Sequence, residues 1–164
     1  ASLTGGEHVI SSVPFSHMVT VYQTANGNMD TILELLKRTG HHETVSKQET
    51  AIKKELSYID HWLEKFAPEK VKFSILKQVP KLKLTDTQEN FINILANKLD
   101  STAMDPEIIH NMVYETSLET DLKPAEAFKT IYELFIGKQY GPKIGFFLSC
   151  LQKDFVIDRL RLQK

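Results

Sequence analysis

The sequence predicts an all-α protein of about eight helices. Apolar residues recur at helical spacing in one segment after another, and a single stretch alternates with a period of two. Capping residues or prolines precede most of the helical segments, and glycine or proline follows several of them. The chain has 164 residues, 41% of them apolar and 25% charged, so it can bury a core.

Three segments in the first half combine a helix start with an apolar stripe. The predicted starts are Pro14, Asn28 and Ser46, and the predicted ends are Ala25, Gly40 and Pro68. Asn28 can accept a hydrogen bond from a free amide of the first turn. Gly40 stands where a helix commonly stops in a left-handed conformation. Ser46 and Glu49 have the spacing of a capping box, so we expect the third helix to begin there.

Residues 70–84 interrupt the helical pattern. Val71, Phe73 and Ile75 alternate with polar residues, but Leu76 breaks the alternation and Pro80 follows. Since no second strand pattern lies nearby, we predict an extended linker packed across helices rather than a sheet. The linker is also the predicted boundary between an N-terminal helical subdomain, 1–84, and a C-terminal one, 85–164.

The second half contains five predicted helices. Their predicted starts are Thr85, Asp105, Pro124, Gly141-Pro142 and Asp154. Thr85 and Gln88 form a second capping-box pattern, and Asp105 precedes a proline at the first helical position. Four residues in the last part of the chain are interpreted mainly as backbone-shaping: Gly137, Gly141, Pro142 and Gly145.

Charge is unevenly distributed although the formal net charge is only −1. Residues 85–122 hold eight acidic and one basic side chain, whereas residues 123–164 hold eight basic and four acidic ones. This pattern is compatible with one surface that attracts a polyanion and one that repels it. The alternative is that both are ordinary solvated helix faces.

The sequence offers no catalytic or metal-binding constellation. His41 and His42 are adjacent and would point about 100° apart on a helix, so they cannot chelate one ion together. Cys150 lies between apolar residues, and no nucleophile elbow or phosphate-binding loop is present. We therefore predict no catalytic residue, no metal and no cofactor in this chain.

Cysteine content and hydropathy suggest a cytoplasmic location. The single Cys150 cannot form an internal disulfide, which fits a reducing compartment. No apolar run approaches the roughly 20 residues that span a bilayer, and no signal-peptide pattern opens the chain, so we predict no membrane partner. Ala1 in place of methionine suggests a chain cut from a longer one.

Cations and one aromatic ring near a Gly-Pro corner suggest RNA binding, and DNA is not an expected partner. The candidate RNA-binding residues are Lys138, Tyr140, Lys143, Lys153, Arg159 and Arg161. Cations attract phosphates, and aromatic or guanidinium planes can stack on unpaired bases. The alternative is that the nearby aromatic residues are core and the cations are merely solvated.

Several segments occur in the order typical of one enzyme family. They are residues 13–23, 32–41, 107–115 and 124–132, then Gly141-Pro142-Lys143-Ile144-Gly145-Phe146-Phe147-Leu148, then Asp154-Phe155-Val156-Ile157-Asp158-Arg159-Leu160. Over nearly the whole chain this pattern resembles the C-terminal region of the class I lysyl-tRNA synthetases. The resemblance implies an α-helical cage that binds the anticodon of tRNA-Lys, in the same polypeptide as a Rossmann catalytic domain.

The family's catalytic motifs have no counterpart in this chain. The His-x-Gly-His and Lys-Met-Ser-Lys-Ser motifs, which serve the ATP site, are absent from the sequence. The resemblance therefore implies that ATP, magnesium and lysine bind in another part of the enzyme, and that this chain alone is not an enzyme. The competing hypothesis is a helical protein–protein interaction module without RNA binding.

Overall fold

A computed structural model describes residues 11–163, and these residues form eight α-helices and no strand. The helices are α1 (Phe15–Thr24), α2 (Met29–Leu36), α3 (His42–Lys65), α4 (Asp86–Asp100), α5 (Pro106–Glu119), α6 (Pro124–Ile136), α7 (Ile144–Ser149) and α8 (Lys153–Leu160). The prediction of an all-α fold with about eight helices is confirmed. The interpretation of Ala1 concerns residues outside the described part of the chain.

The described residues form two compact units, and the boundary between these units along the chain lies between Lys72 and Phe73. The first contains α1 to α3, and the second contains α4 to α8 together with the irregular segment 73–84. In the second unit, four apolar residues of this segment pack against the core: Phe73, Ile75, Leu82 and Leu84. The division into subdomains 1–84 and 85–164 stays a prediction.

The first unit is built on apolar stripes of its three helices. Its largest fully buried side chains are Met18, Ile32, Leu36, Ile52, Leu56 and Ile59. The Asn28 side chain accepts a hydrogen bond from the Thr31 amide at 3.0 Å, as predicted for a helix cap. Gly40 has φ +100°, which confirms the left-handed stop between α2 and α3.

The predicted capping box at Ser46 is wrong, because α3 already begins at His42. The Ser46 hydroxyl lies inside the helix and donates to the His42 carbonyl at 3.1 Å. Helical geometry is interrupted at Gln48, with φ −127° and ψ 29°. The Gln48 side-chain oxygen accepts a hydrogen bond from the Ser12 amide at 3.1 Å. The capping pattern thus falls at an interruption within the helix.

Two histidines pack together beside the break between α2 and α3. The rings of His17 and His41 meet edge to face, with centroids 4.5 Å apart. The Thr39 hydroxyl donates to the Leu35 carbonyl at 2.7 Å, so His17 Nε2, 3.0 Å from that hydroxyl, donates to it. Burial, followed by the nearby His41, lowers the pKa of His17 to about 4. Burial also lowers the pKa of His41.

We expect the first unit to lose stability as the pH falls from about 6.5 toward 4. Below pH 6.5 the unfolded chain binds a proton on His17, whereas the folded chain binds it only near pH 4. For His17 alone, reduced because solvent screens its partly exposed ring, this difference is on the order of 1 kcal/mol between pH 7 and pH 5. Urea unfolding monitored by Trp62, the single tryptophan, would measure it. In the His17→Gln variant, the free energy of unfolding should depend less on pH than in the wild type. If the pH dependence were equal in both proteins, His17 would not be its source.

In the second unit three of the five predicted helix starts hold. The Thr85 hydroxyl accepts from the Gln88 amide at 3.1 Å, and the Gln88 side chain accepts from the Thr85 amide at 2.9 Å. Asp105 caps α5, and Pro124 is the first residue of α6. The predicted start at Gly141-Pro142 is wrong, because Lys143 still has non-helical backbone angles, φ −51° and ψ 126°, and α7 begins at Ile144. Asp154 does not cap α8, because that helix begins one residue earlier, at Lys153, which places Asp154 within the first turn.

The core of the second unit surrounds Phe91, Phe135 and Phe147, which are fully buried. The Phe147 ring contacts the Phe135 ring and also the ring of Phe73 from the irregular segment, with centroids 6.2 and 5.7 Å apart. Helix α7 lies against α5 at Gly145, which is buried. Cys150 is buried. Among the described residues, no helix is long and apolar enough to cross a membrane.

Candidate nucleic-acid interface

The candidate interface is the corner between α6 and α7, residues 137–143. Helix α6 ends at Ile136, and Gly137 follows with φ +69°, a left-handed conformation that turns the chain away from the helix axis. The Leu76 side chain covers this turn, since a Cβ added to Gly137 would lie 3.5 Å from one of its methyl carbons. The predicted role of Gly137 in ending the helix is thus seen in the backbone.

Gly141 and Pro142 fix the second half of the corner. A Cβ on Gly141 would lie 2.7 Å from the Tyr132 ring, so only glycine allows this close approach. The Tyr132 hydroxyl donates to the Pro142 carbonyl. Burial raises the pKa of Tyr132 to about 12, which keeps this hydroxyl protonated as a donor. The tyrosine therefore holds the corner onto α6.

Three of the predicted RNA-binding residues lie together in this corner. Tyr140 is 52% exposed, Lys143 is exposed, and Lys138 is half-buried. The corner contains these two lysines and no carboxylate. A loop that carries an exposed tyrosine two residues after one lysine and three residues before another can stack on an unpaired base and attract its phosphates.

Arg159 faces the protein interior, unlike the lysines of the corner. It is only 4% exposed, and burial lowers the pKa of its guanidinium. Its nitrogens donate to the carbonyls of Leu134 at 2.9 Å and Leu76 at 2.8 Å. The guanidinium carbon also lies 4.9 Å from the centroid of the Phe155 ring. These contacts give Arg159 a structural role in the unit.

Lys153 and Arg161 lie at opposite ends of α8. Lys153 is the first residue of the helix and is half-buried, whereas Arg161 follows the last residue and is exposed. Eight residues of helix separate them by about 12 Å. Arg161 donates to the Asn97 side chain of α4 at 3.0 Å, so its guanidinium is directed toward the acidic half of the unit. RNA contacts by these two residues stay predictions.

The sequence predicts an extended linker over residues 70–84, and its lysines are not among the predicted RNA-binding residues. Lys77, Lys81 and Lys83 are exposed, and the contact between Leu76 and Gly137 brings their segment next to the corner. The alternation of lysine with leucine over residues 81–84, without any carboxylate, is a signal that could have identified them. The described residues contain no group of three or more His, Cys, Asp or Glu side chains that could hold a metal.

Relatives of the chain are lysine–tRNA ligases. The protein of that name from Archaeoglobus fulgidus is 37% identical over 157 residues, which is 95% of this chain and 31% of the relative. Those from Methanosphaera stadtmanae and Pyrococcus horikoshii are 33% and 31% identical, over 92% and 96% of this chain. No protein-family profile matches the chain.

The match covers nearly the whole chain but a minor part of each relative. The chain spans about 30% of the length of the lysine–tRNA ligases that it matches. Similarity of this extent and degree confirms the resemblance described from the motifs. Over nearly its whole length this chain is similar to a part of the lysine–tRNA ligases, which is consistent with a fragment of the class I enzyme.

Proposed function

We propose that this chain is the anticodon-binding part of a lysine–tRNA ligase and that the corner, residues 137–143, contacts the anticodon of tRNA-Lys. The observation that supports the proposal is the exposed Tyr140, which lies between Lys138 and Lys143 in the sequence, on a loop fixed by Gly137, Gly141 and Pro142. A pre-shaped loop loses little conformational entropy when it binds. Homology to lysine–tRNA ligases makes tRNA-Lys the expected RNA.

In this proposal, this chain binds the tRNA, and another region of the same polypeptide catalyses the aminoacylation. ATP and magnesium are the cofactors that the family resemblance implies for the full enzyme. The described residues do not fit them, since they offer neither a metal-binding cluster nor a phosphate-binding loop. Binding of the anticodon by this chain would orient the tRNA so that its acceptor end reaches the catalytic region. A cytoplasmic location follows from this role and stays a prediction.

The test of the proposed function is a titration with two RNAs. Unmodified tRNA-Lys and an anticodon-swapped version would be compared at about 50 and 200 mM salt by fluorescence anisotropy. We expect tighter binding of tRNA-Lys and weaker binding of both RNAs at the higher salt, because phosphate contacts release counterions. Equal affinity for both RNAs would contradict anticodon recognition, and no salt dependence would contradict RNA binding through the cations.

Charge reversal at Lys143 should weaken tRNA-Lys binding about tenfold, since an attractive phosphate contact becomes repulsive. The matched control is Lys123→Glu, which makes the same charge change at an exposed residue just before α6. Circular dichroism should show both variants folded. An equal loss of affinity in both variants would mean that only total charge matters and would remove Lys143 from the interface.

One observation favours the second candidate, a protein-interaction module. Ile108, Tyr114 and Leu118 of α5 are about half exposed on a helix of the acidic region. Exposed apolar side chains among carboxylates suit a docking protein better than RNA. If the protein binds neither RNA at either salt concentration, the result would favour this candidate.

A further inference from the structure

The segment 73–84 is a basic strap on the second unit. It contains Lys77, Lys81 and Lys83 and no acidic residue, and all three lysines are exposed. Its other exposed residues, Ser74 and Gln78, are polar. We call this segment the strap. Three of its five exposed side chains are positively charged, and none of the five is acidic or apolar.

The strap is held to the helices by its backbone and by its apolar side chains. The Leu76 amide donates to the Phe135 carbonyl at 2.8 Å, and the Leu76 carbonyl accepts from Arg159 at 2.8 Å. Phe73, Ile75, Leu82 and Leu84 pack on the core. Because Lys81 and Lys83 alternate with Leu82 and Leu84 in an extended chain, burying the leucines directs the lysines to the solvent.

Strap and corner meet where Leu76 covers Gly137. Lys77 directly follows the first of these residues, and Lys138 directly follows the second, so the two basic segments adjoin. Together they contain five lysines and no carboxylate, whereas residues 85–122 of the same unit hold eight carboxylates and one lysine. The strap and the corner are therefore two adjoining basic segments within the second unit.

From this arrangement we propose that the strap binds the phosphate backbone of an RNA whose bases contact the corner. Lysine is a flexible point charge that suits phosphate oxygens and carries no base specificity. Leu82 and Leu84 pack on the core, and the exposed residues other than the lysines, Ser74 and Gln78, are polar. The strap therefore offers no apolar face for insertion into a membrane. The inference rests on the proposed function, and it separates two tasks: the corner distinguishes bases, and the strap supplies affinity that is independent of sequence.

The test compares two variants by anisotropy titration with tRNA-Lys and its anticodon-swapped version. In the strap variant, K77Q/K81Q/K83Q, we expect affinity for both RNAs to fall by the same factor, roughly tenfold or more. The slope of log affinity against log salt should become shallower by about two. In the corner variant, Tyr140→Ala, we expect the preference for tRNA-Lys to shrink while the salt slope stays unchanged.

The control is K47Q/K54Q/K123Q, which removes the same charge from exposed lysines outside the strap and the corner. If wild-type protein binds tRNA-Lys but the strap variant behaves like this control, the strap proposal fails while the proposed function stands. If wild-type protein shows no preference for tRNA-Lys and Tyr140→Ala changes nothing, the proposed function itself fails. A strap variant that loses binding to an acidic protein but not to RNA would overturn the choice of partner.

Discussion

Replacing Gly145 by alanine should destabilise the second unit by about 3 kcal/mol, despite the better helix propensity of alanine. A Cβ at this position would lie 2.0 Å from the Pro106 carbonyl oxygen and 2.9 Å from the His110 amide nitrogen. Both are backbone atoms of α5, so no side chain can rotate to relieve the overlap. Helix α7 would have to move away from α5 by more than 1 Å, which opens the apolar packing around Phe147.

The measurement is thermal unfolding by circular dichroism, in which we expect the midpoint of the second unit to fall by about 10 °C or more. The unfolding transition followed by Trp62 fluorescence should have the same midpoint as in the wild type, because the tryptophan belongs to the first unit. Asn93→Ala is the control, since it places alanine at an exposed position of α4 without a new contact. A Gly145→Ala protein as stable as this control would show that α5 and α7 do not pack this closely.

The Arg159→Met variant should lose about 3 kcal/mol of stability although methionine nearly matches the length of the side chain. Leu134 belongs to the last turn of α6, whose carbonyls have no helical amide to accept from. Arg159 satisfies the Leu134 carbonyl, and at the same time the Leu76 carbonyl of the strap. Methionine can donate to neither, so two carbonyls would lose their hydrogen-bond donor.

Hydrogen exchange would locate the effect of Arg159→Met. We expect the Leu76 amide, which donates to the Phe135 carbonyl, to exchange faster once the strap is released from Arg159. Arg161→Met is the control, because this exposed residue makes one surface hydrogen bond and its loss should change stability by about 0.5 kcal/mol or less. If Arg159→Met were no less stable than Arg161→Met, Arg159 would be available to contact RNA after all.

Local sequence patterns were sufficient to predict helices whose ends depend on neighbouring residues. The capping box at Thr85, the cap at Asp105 and the glycine stop at Gly137 all have the predicted geometry. In each case the hydrogen bond or backbone angle involves residues within a few positions along the chain. The box at Ser46 failed because the preceding residues, from His42 onward, were already helical. The pattern alone does not exclude an earlier helix start.

The candidate site could be predicted only in part. Lys138, Tyr140 and Lys143 are close together because they lie within six residues, and a Gly-Pro corner is visible in the sequence. The sequence predicts Arg159 to be another surface cation, since no pattern in the neighbouring residues indicates that its side chain is buried. Its partners are the carbonyls of Leu134 and Leu76, which are 25 and 83 residues away.

The sequence by itself determined the helical class, most helix ends and the family resemblance, because these depend on local hydrogen bonding, apolar periodicity and residue identity. Only the tertiary structure showed that Gly145 is required by a neighbouring helix, that Arg159 is buried, and that the strap adjoins the corner. These features depend on distances between segments far apart in the chain. Such distances are set by how the side chains of the core pack together, which no local pattern encodes.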